Sequence, residues 1–191
     1  MNGKHIISSL GLLALLVSVA PLHAQDEVRR RGFWVSFGFG AGVNTAEVAQ
    51  TERRGGLGGY LRAGGAPSGH LVLGTEFMGW VTEREDVVTS RGNVTIFVQY
   101  YPSKTGGLFF KGGLGGSGLS VATPLNPGTL VNSTDGFGMT LGSGYEFRLS
   151  RIAAFTINAD WMFQALDDQS GGTDSTSLFL FTVGFTFPRT G

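Results

Sequence analysis

Ser177–Phe187 reads SLFLFTVGFTF, and its two parities carry different chemistry. Phe179, Phe181, Val183, Phe185 and Phe187 form one set; Leu178, Leu180, Thr182, Gly184 and Thr186 form the other. Successive side chains of a strand point to opposite faces, so a period of two marks a β-strand lying between two surroundings. Those surroundings are either a protein core opposite water, or lipid opposite a barrel interior. Deciding between them decides what the protein is.

Working outward, the same alternation recurs seven times upstream. Gly32–Ala41 sets Phe33, Val35, Phe37 and Phe39 against Trp34, Ser36, Gly38 and Gly40, and Gly56–Gly65 sets Leu57, Leu61 and Ala63 against Tyr60, Arg62 and Gly64. His70–Thr82, Asn93–Tyr101, Gly107–Gly118, Gly136–Arg148 and Ile152–Gln164 repeat the pattern. The connections alternate in length. Val43–Arg54, Glu83–Arg91, Leu119–Asp135 and Ala165–Ser175 read as long polar loops, whereas Ala66–Gly69, Pro102–Gly106 and Leu149–Arg151 read as tight turns by composition. Strands separated by turn signals, with no helix-period segment, predict an all-β fold. Alternating short and long connections predict an eight-stranded antiparallel up-and-down barrel with one plain and one elaborated end.

The flanks set the context. Met1–Ala24 reads as an export signal, with Lys4 at its start, an apolar stretch over Ile6–Ala20, and a cut after Ala24. Gln25–Arg31 is a charged lead-in, residues 32–187 form the barrel, and residues 188–191 form a short tail. There is no cysteine, hence neither a disulfide nor a lipid-modified thiol. Formal charge balances at 14 against 14, which gives no signal for nucleic acid. Glycine is the compositional outlier, 32 of 191 residues against a usual share of about 7%. No collagen-like period accompanies it, and aromatic residues are plentiful, so the glycine serves a folded geometry.

Three observations place lipid on the aromatic side. The opposite parity is poor in charge: across all eight strands it carries only Arg62, Glu76, Lys111, Glu146, Arg148 and Asp160. Gly, Ser and Thr dominate it, and these fit the narrow, side-chain-filled interior of an eight-stranded barrel. Aromatics also gather near strand ends. Phe33, Phe109, Tyr100, Tyr101, Tyr145 and Phe187 lie at the short-turn end, and Trp80, Trp161 and Phe163 at the other, as interfacial girdles would. The alternative is a soluble periplasmic barrel, lipocalin-like, with the aromatic face lining a ligand cavity. A narrow pore is a third reading.

Lys111-Gly112-Gly113-Leu114-Gly115, the run Gly142-Ser143-Gly144-Tyr145-Glu146-Phe147-Arg148 and the alternating aromatic last strand resemble the small outer-membrane β-barrel family that includes outer membrane proteins A and X. The resemblance implies a bacterial outer-membrane location, contact with outer-membrane lipid, and insertion by the barrel-assembly machinery. That machinery reads a terminal aromatic residue, a role Phe187 would fill, although Pro188–Gly191 follow it.

The six inward charges are expected to be structural. They balance, three cations against three anions, as groups in a filled lumen should. Lys111 with Glu146, and Arg62 with Glu76 across one hairpin, are the expected pairs. Arg148 should face water at the rim, away from Asp160. No catalytic, metal or cofactor set emerges. His70, the one histidine after the leader, sits beside a short turn, where a capping or surface role is the simpler reading. Glu83-Arg84-Glu85-Asp86 lacks the spacing of a calcium loop. The expected function is therefore non-enzymatic: an outer-membrane barrel with a closed polar core and a structural role, or contact with an extracellular partner through its loops.

Overall fold

The alternation closes on itself in the computed structural model, which describes residues 32–44, 54–84, 87–122, 130–167 and 173–188. Eight strands follow in chain order: β1 Gly32–Asn44, β2 Arg54–Ser68, β3 Leu71–Arg84, β4 Val87–Tyr100, β5 Leu108–Ala122, β6 Leu130–Arg148, β7 Ala154–Asp167 and β8 Thr173–Pro188. Each pairs antiparallel with its sequence neighbour, and β1 pairs with β8, so the sheet is a closed barrel. The closing register sets Phe37 opposite Phe185 and Phe39 opposite Val183. Closure is what a bilayer demands, because hydrocarbon offers an open sheet edge no hydrogen-bond partner.

Parity decides which side each residue faces. On β8, Phe179, Phe181, Val183, Phe185 and Phe187 are exposed on the outer wall, while Leu178, Leu180, Thr182 and Thr186 are buried inside. The same split holds on β1, where Phe39 is 72% exposed and Ser36 0%. The large apolar parity thus covers the outside, and the parity rich in small and polar residues lines the inside together with two buried apolar clusters. This is the reverse of a soluble barrel, and it overturns the lipocalin-like alternative, which required the apolar parity to face inward.

The aromatic girdles need correcting. Phe33, Tyr100, Tyr145 and Phe187 are exposed on the outer wall near the short turns. There an unbroken chain of rings runs from Phe187 through Phe37, Phe185 and Phe155 to Phe147 and Tyr145, with neighbouring centroids 4.7–6.4 Å apart. Trp161 and Phe163, centroids 5.8 Å apart, lie half-buried on the wall towards the other end. Trp80, Phe109 and Tyr101 are instead buried in the interior. For Trp80 and Phe109 the cause is parity: each shares its strand face with lumen residues, and ring type does not override that geometry.

Strand lengths also depart from expectation. The strands run 13–19 residues, against the roughly 9–11 needed to span a bilayer. The surplus lies at the long-connection end, in segments expected to be loops. Residues 119–122 continue β5, residues 130–135 begin β6, and Arg91 lies within β4 opposite Trp80. Likewise residues 83–84 and 87–90, 165–167 and 173–175, and 43–44 with 54 are paired strand. A hairpin that rises past the barrel's apolar band can be polar on both faces, so the alternation fades while backbone pairing continues. At the other end the differences are small. β2 extends through Ser68 with a register shift after Gly65, residues 69–70 form the turn, and β7 begins at Ala154, two residues later than expected. The expected export signal and lead-in lie outside the described residues, as do residues 189–191 of the tail.

Candidate functional site

The interior is built from the inward parity of all eight strands, and its side chains fall into layers. Nearest the short turns, Trp34, Ala66, Val72, Phe97, Tyr101 and Phe109 form a buried apolar cluster. Trp34 tilts against Phe97 at 6.0 Å between centroids, and Tyr101 against Phe109 at 5.7 Å. The Tyr101 hydroxyl leaves this cluster on its polar side. It donates to Glu146 Oε1 at 2.6 Å and accepts from Gln99 Nε2 at 2.5 Å.

The next layer holds the charges. Arg62 and Glu76 face each other directly across β2 and β3, and Arg62 Nε donates to Glu76 Oε2. Lys111 Nζ, reaching across from β5, donates to the same oxygen. Asp160 on β7 completes the group: Arg62 Nη2 lies 3.1 Å from its Oδ2, and Lys111 Nζ 3.1 Å from its Oδ1. Each carboxylate thus meets both cations, and these four side chains sum to zero charge. Neutral partners fill the remaining directions. Thr140 Oγ1 donates to Glu76 Oε1 at 3.0 Å, and Arg62 Nη1 donates to Asn158 Oδ1 at 3.1 Å. The guanidinium lies 3.8 Å from the centre of the Tyr60 ring, a cation–π contact. Asn158 Nδ2 in turn donates to the Tyr60 hydroxyl at 3.2 Å. Next to these, Ser36, Thr156 and Thr186 bond one another across the closing strands at 2.9 and 3.0 Å.

Towards the long connections the lining turns apolar again, with Met78, Trp80, Met162, Leu178 and Leu180 buried together. Trp80 Nε1 donates to the Gly42 carbonyl at 3.3 Å. Beyond them Gln164 Nε2 donates to Asn93 Oδ1 at 2.8 Å and to the Gly92 carbonyl at 2.9 Å. Burying charge in a low-dielectric interior is costly unless it is paired and hydrogen-bonded; every charge of this layer is paired, and Asp160 Oδ1, which lacks a hydrogen bond, lies against Lys111 Nζ.

Glycine makes room for this arrangement. Gly142 of β6 lies in register between Lys111 of β5 and Asp160 of β7. A Cβ there would sit 2.0 Å from Asp160 Oδ1, so a side chain would displace the carboxylate that Lys111 reaches.

The expected pair of Lys111 with Glu146 is not formed. Register places Gly142 opposite Lys111, while the Glu146 amide bonds the Gly107 carbonyl, four residues nearer the turn. At the usual rise that is about 13 Å along the strand. Lys111 turns to Glu76 and Asp160, and Glu146 is held by Tyr101. Arg62 does meet Glu76, squarely rather than on a diagonal. Arg148 stands exposed at the short-turn end. Tyr60, Thr140 and Asn158 join the site with inward parity as their only signal in the sequence. His70 Nδ1 lies 2.7 Å from the Tyr101 carbonyl, and its ring stacks on Tyr100 at 6.1 Å. It fastens the start of β3 to the end of β4. Among the described residues, no group of three or more His, Cys, Asp or Glu side chains is placed to hold a metal ion.

No protein-family model and no curated protein matches the sequence. Solved structures do match in fold. Neisserial surface protein A superposes with a TM-score of 0.65 at 9% identity, covering 83% of this chain and 97% of that one. Ail, the attachment invasion locus protein of Yersinia pestis, gives 0.55 at 16% identity, covering 82% and 99%. Likeness at this level is likeness of architecture, and it agrees with the outward apolar face and the closed strand order. The chain has the fold of the small eight-stranded outer-membrane β-barrels.

Proposed function

We propose that the barrel is a non-enzymatic integral protein of the outer membrane with a closed core, and that its role is structural or one of surface contact. The observation that carries this reading is the charged layer Arg62–Glu76–Lys111–Asp160, compensated within itself and bracketed by two buried apolar clusters. A conducting lumen needs a water-filled path past its charges. Here the charged groups are directed at one another, and bulky apolar side chains stand on both sides along the axis. The inward charges serve as ties between strands: Arg62, Glu76, Lys111 and Asp160, with the hydroxyl of Thr140, link β2, β3, β5, β6 and β7 across the interior.

The orientation that follows puts the short turns in the periplasm and the elaborated end outside, as in barrels of this type. Outer-membrane lipid then covers the apolar wall, and the barrel-assembly machinery is the partner during insertion. The protruding hairpins are the surface available to an extracellular partner. A catalytic role finds little support. His70 is engaged with Tyr101 and Tyr100 at the short-turn end, away from the outer leaflet where lipid-modifying chemistry would take place.

Planar-bilayer recording tests the closed core. The purified barrel should insert without steady single-channel steps. Large, steady channels would overturn this reading in favour of a narrow pore.

A further inference from the structure

Among the described residues, six buried side-chain atoms lack a hydrogen-bond partner, and they are of two kinds. Four are oxygens, on Thr95, Gln99, Asp160 and Thr182. The other two are cationic donors, Nε of Arg54 and Nε of Arg91. A donor on a charged group is the costlier one to leave bare, because hydrogen bonds to charge are stronger than neutral ones.

Both arginines are half-buried, have inward parity and stand at the long-connection end. Arg91 lies opposite Trp80 in register. A Cβ at Gly56, two residues from Arg54 on the same face, would fall 2.6 Å from the Trp80 ring, so the indole floors both strands. A polar rim joins the two side chains. Arg91 Nη1 reaches Gln164 Oε1 at 3.4 Å, and Gln164 is in register with Thr176. Thr176 Oγ1 donates to Asn44 Oδ1 at 3.1 Å, and Asn44 lies opposite Arg54. Arg54 acts on Arg91 as a like charge, and the exposed Asp174 as the opposite one. Neither arginine forms an ion pair with a described carboxylate. The contrast with the charged layer is plain, since Arg62 and Lys111 each meet two carboxylates there.

We propose that Arg54 and Arg91 bind one phosphate-type oxyanion in the mouth of the barrel, above the floor made by Trp80. Two like charges held in one rim, each with a spare donor, call for an anion between them. Guanidinium groups on separate strands can donate to different corners of a tetrahedral group, and arginine matches phosphate geometry. The closed core is untouched by this site, because the ligand enters from the long-connection end and stops at the Met78–Trp80–Leu180 cluster. The phosphate can be a free ion or a group carried on a sugar, and the recognition chemistry is the same.

Nitrogen-15 NMR of the arginine Nε–H groups, on the full barrel in detergent micelles, tests the site. Inorganic phosphate should shift the Arg54 and Arg91 signals to saturation and leave that of Arg62 in place. Sodium chloride at equal ionic strength should not reproduce the shift. Arg91→Gln should weaken the binding read at Arg54 by about tenfold or more. Asp174→Asn, which removes the opposing charge, should tighten it, a gain that no misfolded barrel would show. The compact band on unboiled gels checks folding independently. Glucose 6-phosphate is the second probe: tighter binding than inorganic phosphate assigns the site to a sugar-borne group, and weaker binding to the free ion. Arginine signals that ignore phosphate in a protein with the compact band would overturn the proposal. So would a shift that chloride matches, or one that Arg91→Gln leaves unchanged at Arg54. Steady bilayer channels alongside phosphate-sensitive signals would sink the closed core and leave this site standing.

Discussion

The two faces of the same eight strands solve opposite problems with one backbone. Inside, space and charge are both rationed: Gly142 leaves just enough room for Asp160, and two cations are matched by two carboxylates. Outside, neither is rationed. Phe181 is 68% exposed and Ile96 75%, with lipid free to shape itself around them. The inner face should therefore fail by unbalanced charge or added volume, and the outer face chiefly by polarity. Burial, usually a sign of apolar character, here marks the polar side, because the barrel's own side chains stand in for water.

The contrast can be broken most sharply at Glu76. Glu76→Ala removes the acceptor of Arg62, Lys111 and Thr140, leaving two buried cations with Asp160 alone. Removing one partner of a buried ion pair costs about 3–5 kcal/mol. The urea midpoint of the barrel in lipid vesicles, read from the compact unboiled band, should fall accordingly. Combining Glu76→Gln with Lys111→Met takes out one charge of each sign and should recover most of that loss. If the single change costs little, the layer is wet and the closed core is wrong. On the outer face Phe181→Lys should cost about 2–4 kcal/mol if that side chain lies near the bilayer midplane. The same assay reads it. A neutral result would mean that this wall does not meet hydrocarbon.

Much of this contrast was legible beforehand, for a physical reason. A period of two is a local property, so Phe179 and Thr182 reveal their different surroundings within a few residues. The sparse charge of the opposite parity then separated lumen from lipid. Pairing inside the lumen is legible only for Arg62 with Glu76, which face each other across one hairpin; the rest depends on contacts across the interior. Lys111 and Glu146 lie on neighbouring strands, yet Lys111 meets Glu76 on β3 and Asp160 on β7. Trp80 and Phe109 follow the parity of their strands into the interior, although ring chemistry alone suits them to an interfacial girdle. The hairpin extensions, such as residues 119–122 and 130–135, were missed because paired backbone above the bilayer needs no apolar face.

The smallest effects provide the sharpest comparison, since they ask one added methyl group to report which face it meets. At Gly184, on the inner face of β8, a Cβ would sit 2.1 Å from the Phe37 carbonyl oxygen and 2.7 Å from Gly38 Cα. Gly184→Ala must push two closing strands apart, an overpacking cost of about 1–3 kcal/mol. At Gly116, on the outer face of β5, the nearest atom is the Gly136 carbonyl oxygen, 3.9 Å away. There alanine displaces nothing and restricts the unfolded chain, so Gly116→Ala should stabilise the barrel by about 0.5–1 kcal/mol. Opposite signs for the same substitution, measured as urea midpoints in one lipid, are the expected outcome. Equal signs would mean that the inner wall yields as readily as the outer, and glycine would lose its role as the residue that lets eight strands close around a filled core.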